Sequence, residues 1–270
     1  MLHFRFMRKC SISQCSTLRR GSFAAARRNR YMIWREVYRL GAAETDINNL
    51  ASPSALLRYM QDTANCHMAG VGPSYDDLIS RGMSFVLSRI TLRIDEPLRA
   101  HDEFESETFA VPSRGAAFGR CYRLTRGGKI IAEGDSTWAL VNISDRTLVR
   151  VGDLETGYGE EPPLDIGVPT RARIPRETEL HCTGEHRVTY ADADLNGHMN
   201  NTRYPDLLCG FAADMRGKRV ETISISFVSE APLGECVTAY TGTDGEHFFV
   251  RTVREDGRTN TESVITLCDV

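Results

Sequence analysis

The sequence predicts an α+β fold in which a helix followed by antiparallel strands occurs twice. Three observations lead to this fold class: a helical pattern near residue 60, a run of strand-like segments after it, and a partial repetition of both in the second half. Strands that follow one another without intervening helices favour an antiparallel sheet, which buries its apolar face by wrapping on the helix.

The first helix is predicted from a capping signal and from its apolar spacing. Ser52 is a favoured N-cap residue, and Pro53 suits the first helical position. Apolar side chains then recur at helical spacing to about Gly70. They are Leu56, Leu57, Met60, Ala64 and Met68.

The strands are predicted from runs of β-branched and aromatic residues, with turn residues between them. A short strand at Val37–Leu40 precedes the helix, and the segments after it are 85–94, 103–110, 118–125, 129–141 and 147–151. Gly127 and Gly128 predict a hairpin turn. Residues 152–180, rich in Gly and Pro, predict a linker. The predicted repeats are therefore 32–151 and 181–270.

The duplication is inferred from two local similarities. At an offset of 148 residues, Asp46-Ile-Asn-Asn-Leu50 aligns with Asp194-Leu-Asn-Gly-His198. After each helix, Arg93–Leu98 aligns with Val228–Leu233 at an offset of 135. The smaller offset predicts a shorter connection from helix to strand in the second half. Two matches in the same order indicate a tandem repeat.

Composition excludes several classes of protein. Hydrophobic residues make up 41% and charged residues 26%, which is typical of a globular chain. No run of about 18 apolar residues predicts a membrane span. Eight cysteines without a C-x-x-C pair indicate reduced thiols rather than a disulfide scaffold or a zinc site.

The charge is unevenly distributed. Residues 1–31 carry eight basic and no acidic side chains, so the rest of the chain carries −3 − 8 = −11. An acidic body argues against nucleic-acid binding. The basic leader has the composition of an organelle transit peptide; the alternative is a gene start placed too early, with Met32 as the true start. We expect a plastid in the first case and a bacterial cytoplasm in the second, and no contribution of residues 1–31 to the core.

The second copy carries a titratable group that the first lacks, because His198 stands where Leu50 does. Asp194, Asn196 and His198 alternate, so an extended loop would point all three to one side. A carboxylate can orient an imidazole, which then serves as a base, and an amide can stabilise a carbonyl oxygen that gains charge.

A second helix is predicted from Tyr204, Leu207, Leu208, Phe211 and Ala212, with Asn200 or Asn201 near its N-cap. Its positive end would favour an oxyanion. The alternatives are an ordinary Asx-rich turn, or a calcium loop that begins at Asp192. The calcium pattern fails because Arg203 stands where a Glu is required.

The segment Asp192–Tyr204, DADLNGHMNNTRY, resembles the D-x-D-x-N-x-H-x-N-N-x-x-Y signature of plant and bacterial acyl-acyl carrier protein (acyl-ACP) thioesterases. The Tyr38 strand, the 56–69 helix and the 136–141 strand are also similar to that family. The resemblance covers about residues 34–270. It implies a double hot-dog fold, that is, two tandem repeats, each with an antiparallel sheet wrapped around a central helix.

The resemblance implies a catalytic set and a reaction. The residues that match are Asp194, Asn196, His198 and Glu230. Family members often carry Cys after that Glu, but this chain has Ala231, so we expect an activated water rather than a thiolate. Asp194 would orient the set or itself attack the substrate. Thioester hydrolysis demands no metal and no organic cofactor. Cys209 and Cys236 are expected to be buried packing residues rather than nucleophiles.

The same resemblance predicts an acyl-chain pocket in the first repeat, with Met60, Met83 and Phe85 as wall residues, unless they are plain core. The partner would be the acidic carrier protein. Two basic clusters are candidates for docking it. One comprises Arg114, Arg120, Arg123, Arg126 and Lys129, and the other comprises Arg171, Arg173 and Arg176.

The expected function is hydrolysis of a fatty acyl-ACP to the free fatty acid and ACP, in fatty acid biosynthesis. The alternatives are an acyl-CoA thioesterase, a hot-dog hydratase or dehydratase, and a non-enzymatic acyl-binding module. We expect no integral membrane association, and a monomer or a homodimer.

Overall fold

The predicted strands form one antiparallel sheet that runs through both halves of the chain. The computed structural model describes residues 33–154, 156–157 and 159–270. Its strands are β1 (Ile33–Arg39), β2 (Met83–Ile94), β3 (Glu103–Arg114), β4 (Ala117–Arg126), β5 (Lys129–Asn142), β6 (His181–Arg187), β7 (Lys218–Phe227), β8 (Cys236–Thr243), β9 (His247–Arg254) and β10 (Thr259–Asp269). Their order across the sheet is β1-β3-β4-β5-β2-β7-β10-β9-β8-β6. The predicted α+β class is confirmed.

The helices are α1 (Pro53–Val71), α2 (Tyr75–Ser80) and α3 (Tyr204–Ala212). The predicted start of α1 is confirmed, since the Ser52 hydroxyl accepts a hydrogen bond from the Ala55 backbone N–H at 3.2 Å. The sequence did not predict α2. Among the described residues, every helix is too short or too polar to span a bilayer.

One apolar core joins the two halves. Leu56, Leu57 and Met60 of α1 pack in the same buried cluster as Tyr204 and Leu208 of α3. The inner face of the central strands completes this cluster. Its central members are Ile90, Leu92, Ile223 and Ile225, all 1% exposed. Burial of each such side chain stabilises the fold by roughly 1.5–3 kcal/mol, so the halves are held together by their shared centre.

The two halves are related by a pseudo-twofold axis between β2 and β7. The strand order reads the same from either edge, because β1, β3, β4, β5 and β2 correspond to β6, β8, β9, β10 and β7. Thr91 lies opposite Ser224 at the axis, and their hydroxyl oxygens are 3.0 Å apart. This arrangement confirms the two tandem repeats of the predicted fold.

The hydrogen bonds correct one of the two predicted offsets. The Ala51 N–H donates to Leu98 O, and the Met199 N–H donates to Ala231 O, at 2.8 and 2.9 Å. These two hydrogen bonds are equivalent in the two repeats. Their donors, Ala51 and Met199, are separated by the predicted offset of 148 residues. Their acceptors, Leu98 and Ala231, are separated by 133 residues, whereas the similarity of Arg93–Leu98 with Val228–Leu233 predicts 135. The predicted shorter connection is confirmed: α3 and β7 are joined by 213–217, whereas 72–82 join α1 to β2.

The strand predicted at Thr147–Val151 is wrong. Only Leu148 makes a bridge, to Val141, and Val151–Asp153 form a single 3-10 turn. The reason is the length of the neighbouring strand: β4 begins at Ala117, opposite Ala139, so only the last residues of β5 offer an open edge on that side.

The segment predicted as a linker lies along the outer face of the sheet. The Pro169 carbonyl accepts hydrogen bonds from the hydroxyls of Thr91 and Ser224, at 3.3 and 3.1 Å. The Ile166 carbonyl accepts one from Arg93 at 2.8 Å, and the Ile166 side chain is buried. The hydroxyls that alternate with the core residues of β2 and β7 therefore hold the connection between the repeats. The predicted leader, residues 1–31, lies outside the described residues.

Candidate active site

The segment Asp194–His198 forms a tight turn rather than the predicted extended loop. The Asp194 N–H donates to His198 O at 2.9 Å, and the Gly197 N–H donates to Asp194 O at 3.0 Å. Gly197 has φ +76°, a conformation that glycine adopts without steric cost. Simple alternation therefore does not decide where the side chains point. Asp194 faces its own turn, because its Oδ1 accepts the Asn196 backbone N–H at 2.8 Å.

Glu230 lies beside this turn because the chain after β7 pairs with it. Met199 donates its N–H to Ala231 O at 2.9 Å, and His198 bridges Pro232. The Glu230 Oε2 and His198 Nε2 atoms are 3.6 Å apart, with side-chain exposures of 42% and 26%. The separation is slightly longer than a hydrogen bond, and such contacts often shorten when substrate binds. The structure thus brings together the imidazole and the predicted acid.

A capped helix end follows the turn. Asn200 is the N-cap, and its Oδ1 accepts hydrogen bonds from the Thr202 N–H and hydroxyl at 2.9 and 2.8 Å. One 3-10 turn, Asn201–Arg203, leads into α3. The predicted capping side chain at Asn200 therefore serves the 3-10 turn that precedes α3, whereas the N-cap position of α3 itself is Arg203, which makes no side-chain cap hydrogen bond. A helix beginning here places positive backbone dipoles near the turn.

The Asn196 side chain is exposed and lines a cavity next to His198. Within the described part of the chain, its amide makes no hydrogen bond to another side chain or to the backbone; only its backbone N–H is bonded, to Asp194. An amide that the protein leaves unbonded can donate to a ligand oxygen.

The cavity has a volume of about 1360 Å³ and is built from both repeats. Its second-repeat wall includes Asp194, Asn196, His198 and Glu230. Its first-repeat wall comes from α1, α2, β2, β4 and β5. The residues of that wall include Gln61, Ala64, Asn65, Met68, Tyr75, Phe85, Leu87, Phe118, Gly119 and Trp138. The cavity therefore reaches from the polar turn into an apolar region between α1 and the sheet.

Of the three predicted wall residues, only Phe85 lines the cavity. Met60 is fully buried in the shared core and does not line the cavity. Met83 packs in a smaller cluster with Leu78 and Leu140. The helical spacing identified the apolar stripe of α1, but only its later members, Ala64 and Met68, line the cavity, together with Gln61 beside them.

Among the cavity residues that were not predicted, Tyr75 and Arg146 lie near charged groups of the site. Tyr75, the first residue of α2, lies close enough to Asp194 and Asp76 for their charges to act on it; burial, followed by these carboxylates, raises the pKa of its phenol. Arg146 follows β5, and its Nη1 lies 3.4 Å from Glu230 Oε2. Neither belongs to the signature segment. The shared offset that relates the repeats could not reveal them, because both lie in first-repeat segments without a counterpart in the second.

The cysteine positions disfavour a thiolate. Burial, then the charges of Asp206 and Asp46, raises the pKa of the Cys209 thiol, which lies in the core. Burial, then the Glu185 carboxylate, also raises the pKa of Cys236. Neither residue lines the cavity. Both thiols stay protonated at neutral pH, which is the unreactive form.

The basic hairpin that the sequence suggested for docking is largely neutralised by carboxylates. Arg123 pairs with Glu107 and Glu133, both at 3.1 Å. Likewise Arg126 pairs with Asp102, and Lys129 with Glu96. Arg120 is buried and hydrogen-bonds to His67 and Thr108. Neighbouring strands therefore supply acidic partners to three of the five basic residues of this candidate cluster, Arg123, Arg126 and Lys129.

Comparison with known proteins places the chain in a family. The family model for the acyl-ACP thioesterase N-terminal domain matches residues 32–155, and that for the C-terminal domain matches residues 176–266. The chain belongs to the acyl-ACP thioesterase family, which confirms the resemblance that the signature segment suggested.

Individual relatives are distant in sequence and close in fold. The chain is 20% identical over 232 residues to a chloroplastic palmitoyl-acyl carrier protein thioesterase of Arabidopsis thaliana, which covers 79% of this chain and 56% of that protein. It is 20% identical to the protein of that name from Cuphea hookeriana, over 64% of this chain and 45% of that one. The chain thus spans about half the length of the curated relatives it matches.

Solved structures share the double hot-dog architecture. An acyl-ACP thioesterase from Bacteroides thetaiotaomicron superposes with a TM-score of 0.77 at 19% identity, over 87% of this chain and 98% of that one. The 12:0-ACP thioesterase from Umbellularia californica gives a TM-score of 0.76 at 15% identity, over 88% and 98% of the two chains. At such identities the likeness establishes the fold.

Proposed function

We propose that this protein hydrolyses the thioester between a fatty acyl chain and acyl carrier protein, releasing the fatty acid and the carrier thiol. One observation carries the proposal: His198, Glu230 and Asn196 meet at one end of a cavity of about 1360 Å³ that continues between α1 and the sheet. This volume exceeds the roughly 300–1,000 Å³ of ordinary small-ligand pockets. A long acyl chain together with the arm of a carrier needs such a space.

His198 is the proposed base. Its imidazole takes a proton from a water molecule as that water attacks the thioester carbonyl, and Glu230, 3.6 Å from Nε2, stabilises the imidazolium that forms. The C–S bond then breaks, and the imidazolium returns its proton to the departing thiolate. The acid keeps the oxygen that the water supplied.

Asn196 is the proposed oxyanion donor. Its amide N–H would donate to the carbonyl oxygen as negative charge develops there, close to the 3-10 turn that Asn200 caps and that leads into α3. The absence of a competing hydrogen bond within the described residues supports this role, since the amide needs no rearrangement before it binds the substrate.

Asp194 is proposed to shape the turn rather than attack the substrate. One of its carboxylate oxygens accepts the Asn196 N–H, which fixes the backbone that presents both Asn196 and His198. Asp46 does the same in the first repeat, where it accepts the Asn48 N–H at 2.8 Å and no imidazole is present. Because the same contact occurs in the repeat that lacks the imidazole, we assign it a structural role.

The acyl chain is proposed to enter the first repeat along Phe85, Phe118 and Trp138. We therefore assign residues 32–151 as the acyl-pocket repeat, 152–180 as the linker, and 181–270 as the catalytic repeat. The linker arginines, Arg171, Arg173 and Arg176, are exposed and form no ion pair within the described residues, so they remain our candidate surface for an acidic carrier.

The compartment depends on the leader. The curated plant relatives are named chloroplastic. We propose a bacterial cytoplasm for this chain, with a plastid as the alternative if residues 1–31 act as a transit peptide. Fusion of residues 1–31 to a fluorescent reporter tests the choice: import into isolated plastids would favour the second compartment.

The deciding experiment measures thiol release from purified acyl-ACP and, in parallel, from acyl-CoA of the same chain length. The proposal expects release from acyl-ACP with the larger kcat/KM. A preference for acyl-CoA would make the protein a CoA thioesterase. Hydration or dehydration of an unsaturated or hydroxylated acyl thioester without thiol release would indicate the hydratase alternative, and binding without any reaction would indicate an acyl-binding module.

A further inference from the structure

One carboxylate oxygen of the proposed site lies between two nitrogen atoms from different repeats. Glu230 Oε2 is 3.6 Å from His198 Nε2 and 3.4 Å from Arg146 Nη1. His198 and Glu230 belong to the second repeat, whereas Arg146 follows β5 of the first. All three residues line the cavity. The first repeat therefore contributes a permanent cation beside a carboxylate–imidazole pair that comes from the second.

The backbone around Arg146 is held in an uncommon conformation. Arg146 has φ +59°, in the left-handed region that few residues other than glycine adopt. The turn is closed by hydrogen bonds from the Asn142 N–H to Thr147 O and from the Arg146 N–H to Asn142 O, each 2.9 Å long. Asp145 Oδ1 accepts the Thr147 N–H and hydroxyl at 2.9 and 2.7 Å. Such a conformation persists where the surroundings determine it, and it is frequent at functional sites.

The other charged groups near Glu230 have partners of their own. Arg254 makes two hydrogen bonds to Glu235, at 2.8 and 2.9 Å, and Arg258 pairs with Asp256 at 2.7 Å. The hydroxyl of Tyr204 is neutral, since burial raises its pKa to about 12. Of the described cations, Arg146 is the one whose ion pair is with Glu230.

We infer that Arg146 is a positioning residue, which holds the Glu230 carboxylate oriented toward His198; this inference rests on the proposed hydrolysis. A carboxylate that rotates away no longer stabilises the imidazolium. Arg146 is 78% exposed, and exposed ion pairs contribute little to the free energy of unfolding. Its effect is therefore on the orientation of Glu230 rather than on the fold.

The first test compares Arg146→Met with Arg216→Met. The control, Arg216, is 75% exposed and pairs with Asp214 two residues away, outside the cavity lining. Steady-state thiol release from acyl-ACP is measured for both variants. Arg146→Met should lower kcat about tenfold, as expected for the loss of one charge-assisted contact, with KM within about twofold. Arg146→Lys should restore most of kcat, and Arg216→Met should match the wild type.

A double variant separates positioning from substrate binding. In a Glu230→Gln background, Arg146→Met should cause no further loss of kcat, because the carboxylate on which it acts is absent. A rise in KM with kcat unchanged would overturn the inference and place Arg146 on the substrate.

A measurement without turnover keeps this inference separate from the proposed function. In a crystal structure of Arg146→Met, the Glu230 carboxylate should be turned away from His198, whereas in Arg216→Met it should stay about 3.6 Å from His198 Nε2. A Glu230 carboxylate that keeps its place in Arg146→Met overturns the positioning role, whether or not the protein is active. A wild-type protein that releases no thiol from acyl-ACP contradicts the proposed function, and the structure of Arg146→Met still decides whether Arg146 positions Glu230.

Discussion

The turns Asp46–Leu50 and Asp194–His198 have the same backbone and different side-chain roles. In each, the Asp N–H donates to the carbonyl four residues on, at 2.7 Å in the first turn and 2.9 Å in the second. In each, a residue with positive φ, Asn49 or Gly197, donates its N–H to that Asp carbonyl at 3.0 Å. Yet the last residue, Leu50, is 1% exposed in the core, whereas the His198 side chain is 26% exposed and lines the cavity.

The difference comes from what lies opposite each turn. The Asn48 amide donates to Met215 O and Lys218 O, both at 2.7 Å, and accepts the Gly217 N–H at 2.8 Å. Met215 and Gly217 belong to the short connection between α3 and β7, and Lys218 is the first residue of β7. The corresponding connection between α1 and β2 is longer and includes α2, so Asn196 faces a cavity with Tyr75 on its far wall. The same turn therefore serves as a scaffold in both repeats. The length of the connection opposite the turn decides whether the turn is covered or lines the cavity of the candidate active site.

The largest expected effect comes from making the second turn like the first. His198→Leu should lower kcat for acyl-ACP hydrolysis by about 10²–10⁴, the usual contribution of a general base. Thermal unfolding should change little, because the His198 side chain is partly exposed. A folded variant that keeps more than a tenth of wild-type turnover would contradict the assignment of His198 as the base.

Substitution of Asn196 should lower activity, whereas substitution of Asn48 should lower stability. Asn196→Ala should lower kcat by about 10²–10³ if its amide stabilises the oxyanion, with little loss of stability, because it has no side-chain hydrogen bond among the described residues. Asn48→Ala removes three hydrogen bonds and should lower the free energy of unfolding by about 1–3 kcal/mol. Its turnover should match that of the wild type. Chemical denaturation and steady-state kinetics on both variants check this, and a stability loss at Asn196 with normal kcat would reverse the roles.

The reciprocal change should damage the fold instead of creating a second site. Leu50→His places an imidazole at a position that is 1% exposed, which should cost about 2–5 kcal/mol in lost packing and an unsatisfied polar group. Burial disfavours the charged imidazole, so its pKa would be lower when folded than when unfolded. The remaining stability should therefore fall further as the pH drops below about 6.5. Urea denaturation at pH 8 and pH 5.5 measures this, and equal stability at both values would contradict it.

Much of the fold follows from local signals, and less of the site does. Ser52 and Pro53 predict the start of α1, and Gly127-Gly128 predict the β4–β5 turn, because these residues satisfy local backbone requirements. The set Asn196, His198 and Glu230 was predicted through the repeat and the family signature. Arg146 was not, because its distance from Glu230 depends on how two repeats pack. Likewise, apolar spacing cannot tell Met60, in the core, from Met68, on the cavity wall.

A smaller effect is expected for Asp194→Asn. The amide oxygen of Asn can still accept the Asn196 N–H that Asp194 accepts at 2.8 Å, so the turn should persist. Turnover should fall by about tenfold or less, since only the charge is lost. Asp194→Ala also removes the acceptor and should cost more activity than Asp194→Asn. A loss of 10³ or more in Asp194→Asn, with the turn intact by NMR, would restore Asp194 as a nucleophile.

The smallest effect is expected at the thiols. At the 148-residue offset, Cys209 of α3 corresponds to Gln61 of α1, and only Gln61 lines the cavity. Because burial raises the pKa of Cys209, its thiol is protonated at neutral pH and closed to an alkylating reagent. Cys209→Ser should lower stability by about 1–3 kcal/mol, since it buries a hydroxyl, and the partly exposed Cys236→Ser should change stability by less than about 0.5 kcal/mol. Neither should change kcat, and iodoacetamide should leave the turnover of the wild type unchanged.

If iodoacetamide inactivated the wild type but not a folded, slow Cys209→Ser/Cys236→Ser variant, a thiolate would be the nucleophile, and the role of His198 would change from activating water to activating that thiol.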